Sequence, residues 1–289
     1  MKLFKLLLIV FSVYVVSGCG DPLIDISDEP YHPKIVVEGF LYPENTVSGI
    51  KISRNFELNT EVNPDSLILT PGRNKTLITI NNIPLLFDEK TRTYFTEEIT
   101  VEYNTEYNLH VEAEIDGKSY SAEATTLSPQ KGFNVLESDL GNKVFGKDKI
   151  QIHFVTSPGV STYAFSIIAD SAGPDNFIYE NKFFPNITPE KVEEKLNSFL
   201  FRFRFILNIN SYADLTYLFE PEQFDLWFYS PYRIVAYACN RDYKDYLLTA
   251  KNVKEFDGNF HEPKTNFSGD GIGVFASAIK DTTYFRIIK

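Results

Sequence analysis

Residues 106–127 read EYNLHVEAEIDGKSYSAEATTL, two β-rich runs of alternating character around Asp116-Gly117. An Asp-Gly pair between such runs is the strongest short-range hairpin signal, because the favoured two-residue turn needs left-handed backbone at both positions. A helix would repeat its apolar residues every three or four positions; here they recur every second one. This stretch sets the fold class as β.

Working outward, the same texture continues. KIVVEGFL (34–41) reads as a buried strand, followed by GIKIS (49–53), TLITI (76–80) and TRTYFTEEITV (91–101). Short strands at this spacing, with no convincing helix among them, predict an antiparallel Ig-like β-sandwich over 34–129, closed by the SPQKG boundary. The expected second domain, 133–289, is mostly antiparallel β with one or two short helices. Its strands are KIQIHFVT, TYAFSIIAD, FDLWFY, YRIVAYAC, IGVFASA and TYFRIIK. Thr188-Pro189 opens a helix near 189–198, with Thr as cap and Pro at the first helical position. Asn240 caps another near 241–250. In FLFRFRFIL, Phe201, Phe203 and Phe205 alternate with Arg202 and Arg204. The arginines read as the solvated side of a sheet strand, with an anion-binding stripe as the alternative.

The first nineteen residues, MKLFKLLLIVFSVYVVSGC, have the physics of an export signal. Lys2 and Lys5 supply the positive start. The apolar run from Leu6 to Val16 is too short to span a bilayer, which takes about twenty residues. Val16-Ser17-Gly18-Cys19 resembles a bacterial lipobox, so residues 1–18 are expected to be removed and Cys19 to carry the acyl chains, palmitate among them. Two or more chains anchor stably, at about 0.8 kcal/mol per buried CH₂. Residues 19–33 are an acidic, proline-bearing tether, a spacer or an export address. The only other cysteine, Cys239, lies in an apolar run and reads as a buried structural thiol, so no internal disulfide is expected.

The chain has 28 Lys and Arg against 39 Asp and Glu, a net charge of −11, and −13 once residues 1–18 are gone. Such a surface has no electrostatic reason to bind nucleic acid or to be drawn to anionic head groups.

Three separated pieces resemble one family. They are the opening Val36-Val37-Glu38-Gly39, the hairpin residues Tyr107, Leu109, Val111, Gly117, Tyr120 and Ala122, and the late Glu262, Pro263, Gly271, Gly273 and Phe275. In this order behind a lipobox they resemble a Bacteroidota outer-membrane lipoprotein family of unknown function, a domain of unknown function covering nearly the whole mature chain. Its members tend to be encoded beside TonB-dependent receptors. One departure is Asn104-Thr105 where a glycine is expected; asparagine tolerates the same turn. The resemblance implies lipid anchoring in the outer membrane and a TonB-dependent receptor as partner. It brings no catalytic residues.

The residues themselves offer little chemistry. His32, His110, His153 and His261 stand apart, without the spacing of metal ligands. There is no G-x-S-x-G elbow and no suggested Cys–His pair. Ser268 to Gly273 (SGDGIG) is glycine-rich but precedes a strand, so it lacks the helix N-terminus that holds a phosphate and reads as a tight turn or bulge before a final hairpin. Asp65-Ser66-Leu67, Asp170-Ser171-Ala172 and Asp281-Thr282-Thr283 resemble loose O-glycosylation triplets. Catalytic, cofactor and metal residues are therefore expected to be none, and the protein is expected not to be an enzyme. Two functions remain open: a lipid-anchored accessory of a TonB-dependent receptor in nutrient uptake, and a surface lipoprotein that binds glycan or peptide through tyrosine-bearing loops such as YSPYR.

Overall fold

A computed structural model describes residues 31–57, 60–183, 185–199, 203–209, 216–222, 226–250 and 264–289. The signal segment, Cys19 and most of the tether lie outside these residues, as do Phe201, Arg202, His261, Glu262 and Pro263. In chain order the elements are β1 (Ile35–Leu41), β2 (Thr46–Arg54), α1 (Pro64–Leu67), α2 (Pro71–Asn74), β3 (Leu77–Ile80), β4 (Ile83–Pro84), β5 (Leu86–Asp88) and β6 (Thr93–Thr100). Then come β7 (Glu106–Ile115), β8 (Lys118–Leu127), β9 (Asn134–Val135), β10 (Asp139–Val144), β11 (Ile152–Val155), β12 (Thr162–Ala169), α3 (Pro189–Glu194) and α4 (Leu196–Phe199). The chain ends with β13 (Phe203–Asn208), β14 (Thr216–Phe219), β15 (Pro231–Cys239), α5 (Arg241–Thr249), β16 (Phe267–Gly269) and β17 (Gly271–Ile288).

The deciding hairpin forms as read. β7 and β8 pair from Glu106 with Leu127 to Ile115 with Lys118. Asp116 and Gly117 take φ of 52° and 77°, the left-handed pair a type I′ turn requires. Asn104, standing where a glycine was expected, also turns left-handed at φ 51°. Alternation then builds the core: Tyr107, Leu109, Val111, Ala113 and Ile115 face Ile35, Val37, Val47, Ile50 and Ile52 across the first sandwich. One layer is the sheet β16-β8-β7-β3-β4, and the other contains β1, β2, β6 and β5.

That second layer does not stop at the first sandwich. It belongs to a nine-stranded sheet in the order β13-β12-β15-β17-β1-β2-β6-β5, with β10 also pairing with β17. IGVFASA and TYFRIIK, expected as two strands, are one eighteen-residue strand, β17. Its first half runs parallel to β1, from Ile35 opposite Gly271 to Leu41 opposite Ser277. Its second half runs antiparallel to β15, from Cys239 opposite Ala278 to Pro231 opposite Arg286. The stretch 267–277, expected in the second domain, thus pairs with strands of the first. The reason is physical. Residues 279–282 (IKDT) contain neither Gly nor Pro, so nothing breaks the strand where a turn was expected.

A second core, with Phe154, Tyr163, Phe165, Ile234 and Phe285 at its centre, lies between β12, β15 and β17 and the small sheet β14-β11-β9. The opposite face of the large sheet receives α5. Nine residues make a marginal helix in water, but Asn240 accepts the Tyr243 N–H as its cap and the sheet offers Ala164, Ala276 and Ala278, small enough for a close approach. Cys239 is buried there. The sequence reading missed α1 and α2, each four residues long and started by Pro behind an Asn63 or Thr70 cap. It also took FDLWFY for a strand; of its described part only the bridge between Phe228 and Phe177 forms.

Candidate functional site

Two loops of the second half meet above a small aromatic core of Phe177, Val192, Phe199 and Phe228. One covers residues 171–183 and holds a 3-10 turn, Pro174–Asn176; the other covers 226–231. Asn176 joins them. Its Oδ1 accepts the Gly173 N–H at 2.9 Å, and its Nδ2 donates to the carbonyls of Ser171 at 3.0 Å and Tyr229 at 3.2 Å. Buried Asn181 repeats the device: Nδ2 donates to the Leu226 carbonyl at 3.2 Å, and Oδ1 accepts the Phe183 N–H at 3.1 Å. Backbone bonds from Ile178 to Trp227 at 2.8 Å and from Tyr229 to Asn176 at 2.7 Å complete the pairing.

Rings stand on this scaffold. Phe183 is 59% exposed and Tyr179 is 37% exposed, while Trp227 and Tyr229 are half-buried. Phe177 stacks on Trp227 at 6.5 Å and meets Tyr179 edge-on at 5.2 Å, geometries that aromatic quadrupoles favour. The Tyr179 hydroxyl donates to the Pro174 carbonyl at 3.0 Å, and Tyr229 donates to the Glu180 carboxylate at 3.3 Å. Desolvation, then the negative charges of Asp175 and Glu190, push the Tyr179 hydroxyl above its ordinary range. Of the two tyrosines in YSPYR only Tyr229 reaches the surface. Tyr232 is buried, its hydroxyl donating to the Phe228 carbonyl and accepting the Phe228 N–H, both at 3.0 Å, and burial raises its pKa. Neither asparagine was singled out from sequence, although Gly-Pro-Asp-Asn at 173–176 is turn chemistry that points to Asn176.

The other sequence candidates have local explanations. His110 sits on the outer face of the first sandwich between Glu112 at 3.1 Å and Glu123 at 3.2 Å. His153 Nδ1 lies 2.7 Å from Glu137, which also accepts the His153 N–H. Burial pushes Glu137 up, but these His153 contacts outweigh it and hold the carboxyl below its usual range. His32 is exposed. No three His, Cys, Asp or Glu side chains gather as metal donors among the described residues. SGDGIG is a turn: β16 ends at Gly269 and β17 starts at Gly271. Of the triplets, Ser66 and Ser171 are exposed, whereas Asp281 accepts the N–H groups of Val135 and Thr282 and is part of the sheet. No helix among the described residues is long and apolar enough to cross a membrane.

The described family-bearing residues lie elsewhere, Val36 to Gly39 and Gly271 to Phe275 along the seam of the large sheet and the hairpin residues in the five-stranded sheet. Val37 lies opposite Gly273 and Gly39 opposite Phe275, while Ala122 of the hairpin lies opposite Gly269. They hold the fold together.

No curated protein matches the chain. Among solved structures, an I-band fragment of titin is similar at 8% identity and a TM-score of 0.22, covering 90% of this chain and 66% of its own. A bacterial ice-binding adhesin matches at 8% identity and 0.22, covering 90% and 65%. A SusE-like surface-located polysaccharide-binding protein from the heparin utilisation locus of Bacteroides thetaiotaomicron matches at 11% identity and 0.21, covering 88% and 33%. This chain spans no more than about two thirds of any of the three, and TM-scores this low carry no argument about fold or function. The family model is the firm finding: it matches residues 21–283, and the chain belongs to the family described as Domain of unknown function (DUF4249).

Proposed function

We propose that the protein is a lipid-anchored accessory of an outer-membrane TonB-dependent receptor, acting by contact in nutrient uptake and not by catalysis. Cys19 carries the anchor. From it, twelve residue steps reach Tyr31, a tether of at most about 40 Å. Tyr31 is fastened to the body, its hydroxyl donating to the Asn55 carbonyl at 2.9 Å and accepting from Arg54 at 3.0 Å. The observation that carries the reading is the pair of asparagine-stapled loops with Phe183 and Tyr179 exposed. Rigid loops bearing aromatic side chains suit a protein contact, where such residues are enriched.

A second reading, capture of a glycan or peptide at the same loops, is favoured by the placing of Tyr229 beside Glu180, since rings with a few fixed polar groups also suit small ligands. One experiment separates them. The tagged full-length protein is recovered from native outer membranes in mild detergent, beside Cys19→Ala and Phe183→Ser. A TonB-dependent receptor recovered in near-equal amount with wild type and lost with both variants supports the accessory role. No receptor above background overturns it and leaves ligand capture.

A further inference from the structure

The face of the large sheet turned away from the second core carries residues that none of this uses. Directly opposed residues in antiparallel strands project to the same side. One row across the sheet is Ser166, Val235 and Thr282; on either side of it Tyr237 opposes Lys280, and Arg233 opposes Tyr284. Pro231 opposing Arg286 follows. The intervening positions, Phe165, Ile234, Ala236, Ile279 and Phe285, belong to the second core. α5 covers the end of this face at Ala164, Cys239 and Ala278. Beyond it Lys280, Arg233, Tyr284 and Arg286 are exposed.

Charge sets this face apart: in a chain of net −11, three exposed basic residues, Arg233, Lys280 and Arg286, lie on it. Lys280 Nζ lies 5.6 Å from the centre of the Tyr42 ring, and Arg286 has no ion pair among the described residues. Arg233 has Asp170 at 3.2 Å, and Asp139 of β10 is the register partner of Tyr284. Ser166, in the middle row, is 4% exposed, and its Oγ has no hydrogen-bond partner among the described residues; Thr283, on the core side, has none either.

We propose that this face binds an acidic oligosaccharide, with Arg233, Lys280 and Arg286 holding its carboxylate or sulfate groups and Tyr284 lying under one of its rings. The shape supports an extended ligand: same-face residues along a strand are about 6.8 Å apart, so Lys280 to Arg286 spans about 20 Å. The guanidinium fork matches a planar carboxylate, and tyrosine gives apolar area with a polar tip.

Calorimetry on the full-length protein in detergent tests it, with oligogalacturonate and a sulfated chondroitin fragment as acidic probes and cello-oligosaccharide as the neutral one. The expected result is binding of an acidic probe but not the neutral one, weakening as salt rises. Lys280→Gln/Arg286→Gln weakens it by about tenfold or more with an unchanged thermal midpoint, while Phe183→Ser leaves it intact. Arg286→Gln alone is read instead if the double variant unfolds. Silence from both acidic probes, equal affinity for the neutral probe, undiminished binding by the variant, or preference for anionic phosphatidylglycerol vesicles overturns the proposal.

Discussion

Gly273 stands directly opposite Val37 in the parallel ladder between the last strand and the first, at φ +113°, and a Cβ there would run into the Val37 carbonyl oxygen. Two constraints meet at one residue: a backbone conformation that disfavours side chains and a contact that excludes one. Gly273→Ala is therefore expected to destabilise the protein by about 3 kcal/mol or more. Urea unfolding by circular dichroism measures this, and a loss below about 1 kcal/mol would show that the seam can shift.

Ser166 and Thr283 are the buried hydroxyls without partners among the described residues. Removing such a group recovers desolvation energy. Ser166→Ala and Thr283→Val should each raise stability by about 1 kcal/mol. Scanning calorimetry reads both. If Ser166→Ala also weakens oligosaccharide binding, its hydroxyl serves the ligand.

Arg54 forks onto Asp116, with both nitrogen–oxygen distances 2.7 Å, and so ties the tip of the β7–β8 hairpin to the end of β2. The Arg54 guanidinium holds the Asp116 carboxyl below its usual range. A depressed acid stabilises the fold above its unfolded pKa, near 3.8, and loses that contribution as pH falls through the folded value. Asp116→Asn should thus lower the thermal midpoint at neutral pH by an amount that shrinks toward zero in acid. A difference independent of pH would assign the effect to packing.

Asp242, at the start of α5, is the opposite case. Burial raises its pKa despite the hydrogen bond from Thr126 at 2.8 Å. A raised acid binds its proton more tightly when folded, so its ionisation costs stability as pH rises above the unfolded value. Asp242→Asn, which keeps an acceptor for Thr126, should raise the thermal midpoint at neutral pH and have little effect in acid. Melting curves across that range decide it.

Asn181→Ala removes two buried hydrogen bonds that staple the loops, leaving the Leu226 carbonyl and the Phe183 N–H to find others. A cost of about 2 kcal/mol is expected, with faster proteolysis within 174–183 than in wild type. Unchanged cleavage would mean that the backbone pairing alone fixes the loop.

Much of the architecture was legible because strand alternation and turn chemistry are local. Asp116-Gly117 needed nothing beyond its neighbours to specify its turn, and the caps at Thr188 and Asn240 were read from single residues. Other features depend on partners far along the chain. Arg204 has no distinguishing context within FLFRFRFIL; only pairing with β12 sets it in register with Ser166. Asn176 and Asn181 likewise matter through bonds to residues about fifty positions away.

By itself, then, the sequence determined a β protein, the deciding hairpin, the places of its longer helices and a buried Cys239, because periodicity, turn residues and caps act over a few residues. Tertiary structure alone decided that β17 runs unbroken through both halves and that its first part lies parallel to β1. It also decided which residues share the face of the large sheet turned away from the second core. Those outcomes follow from strand register, and register is set by burial of two cores at once, to which no single stretch holds the information.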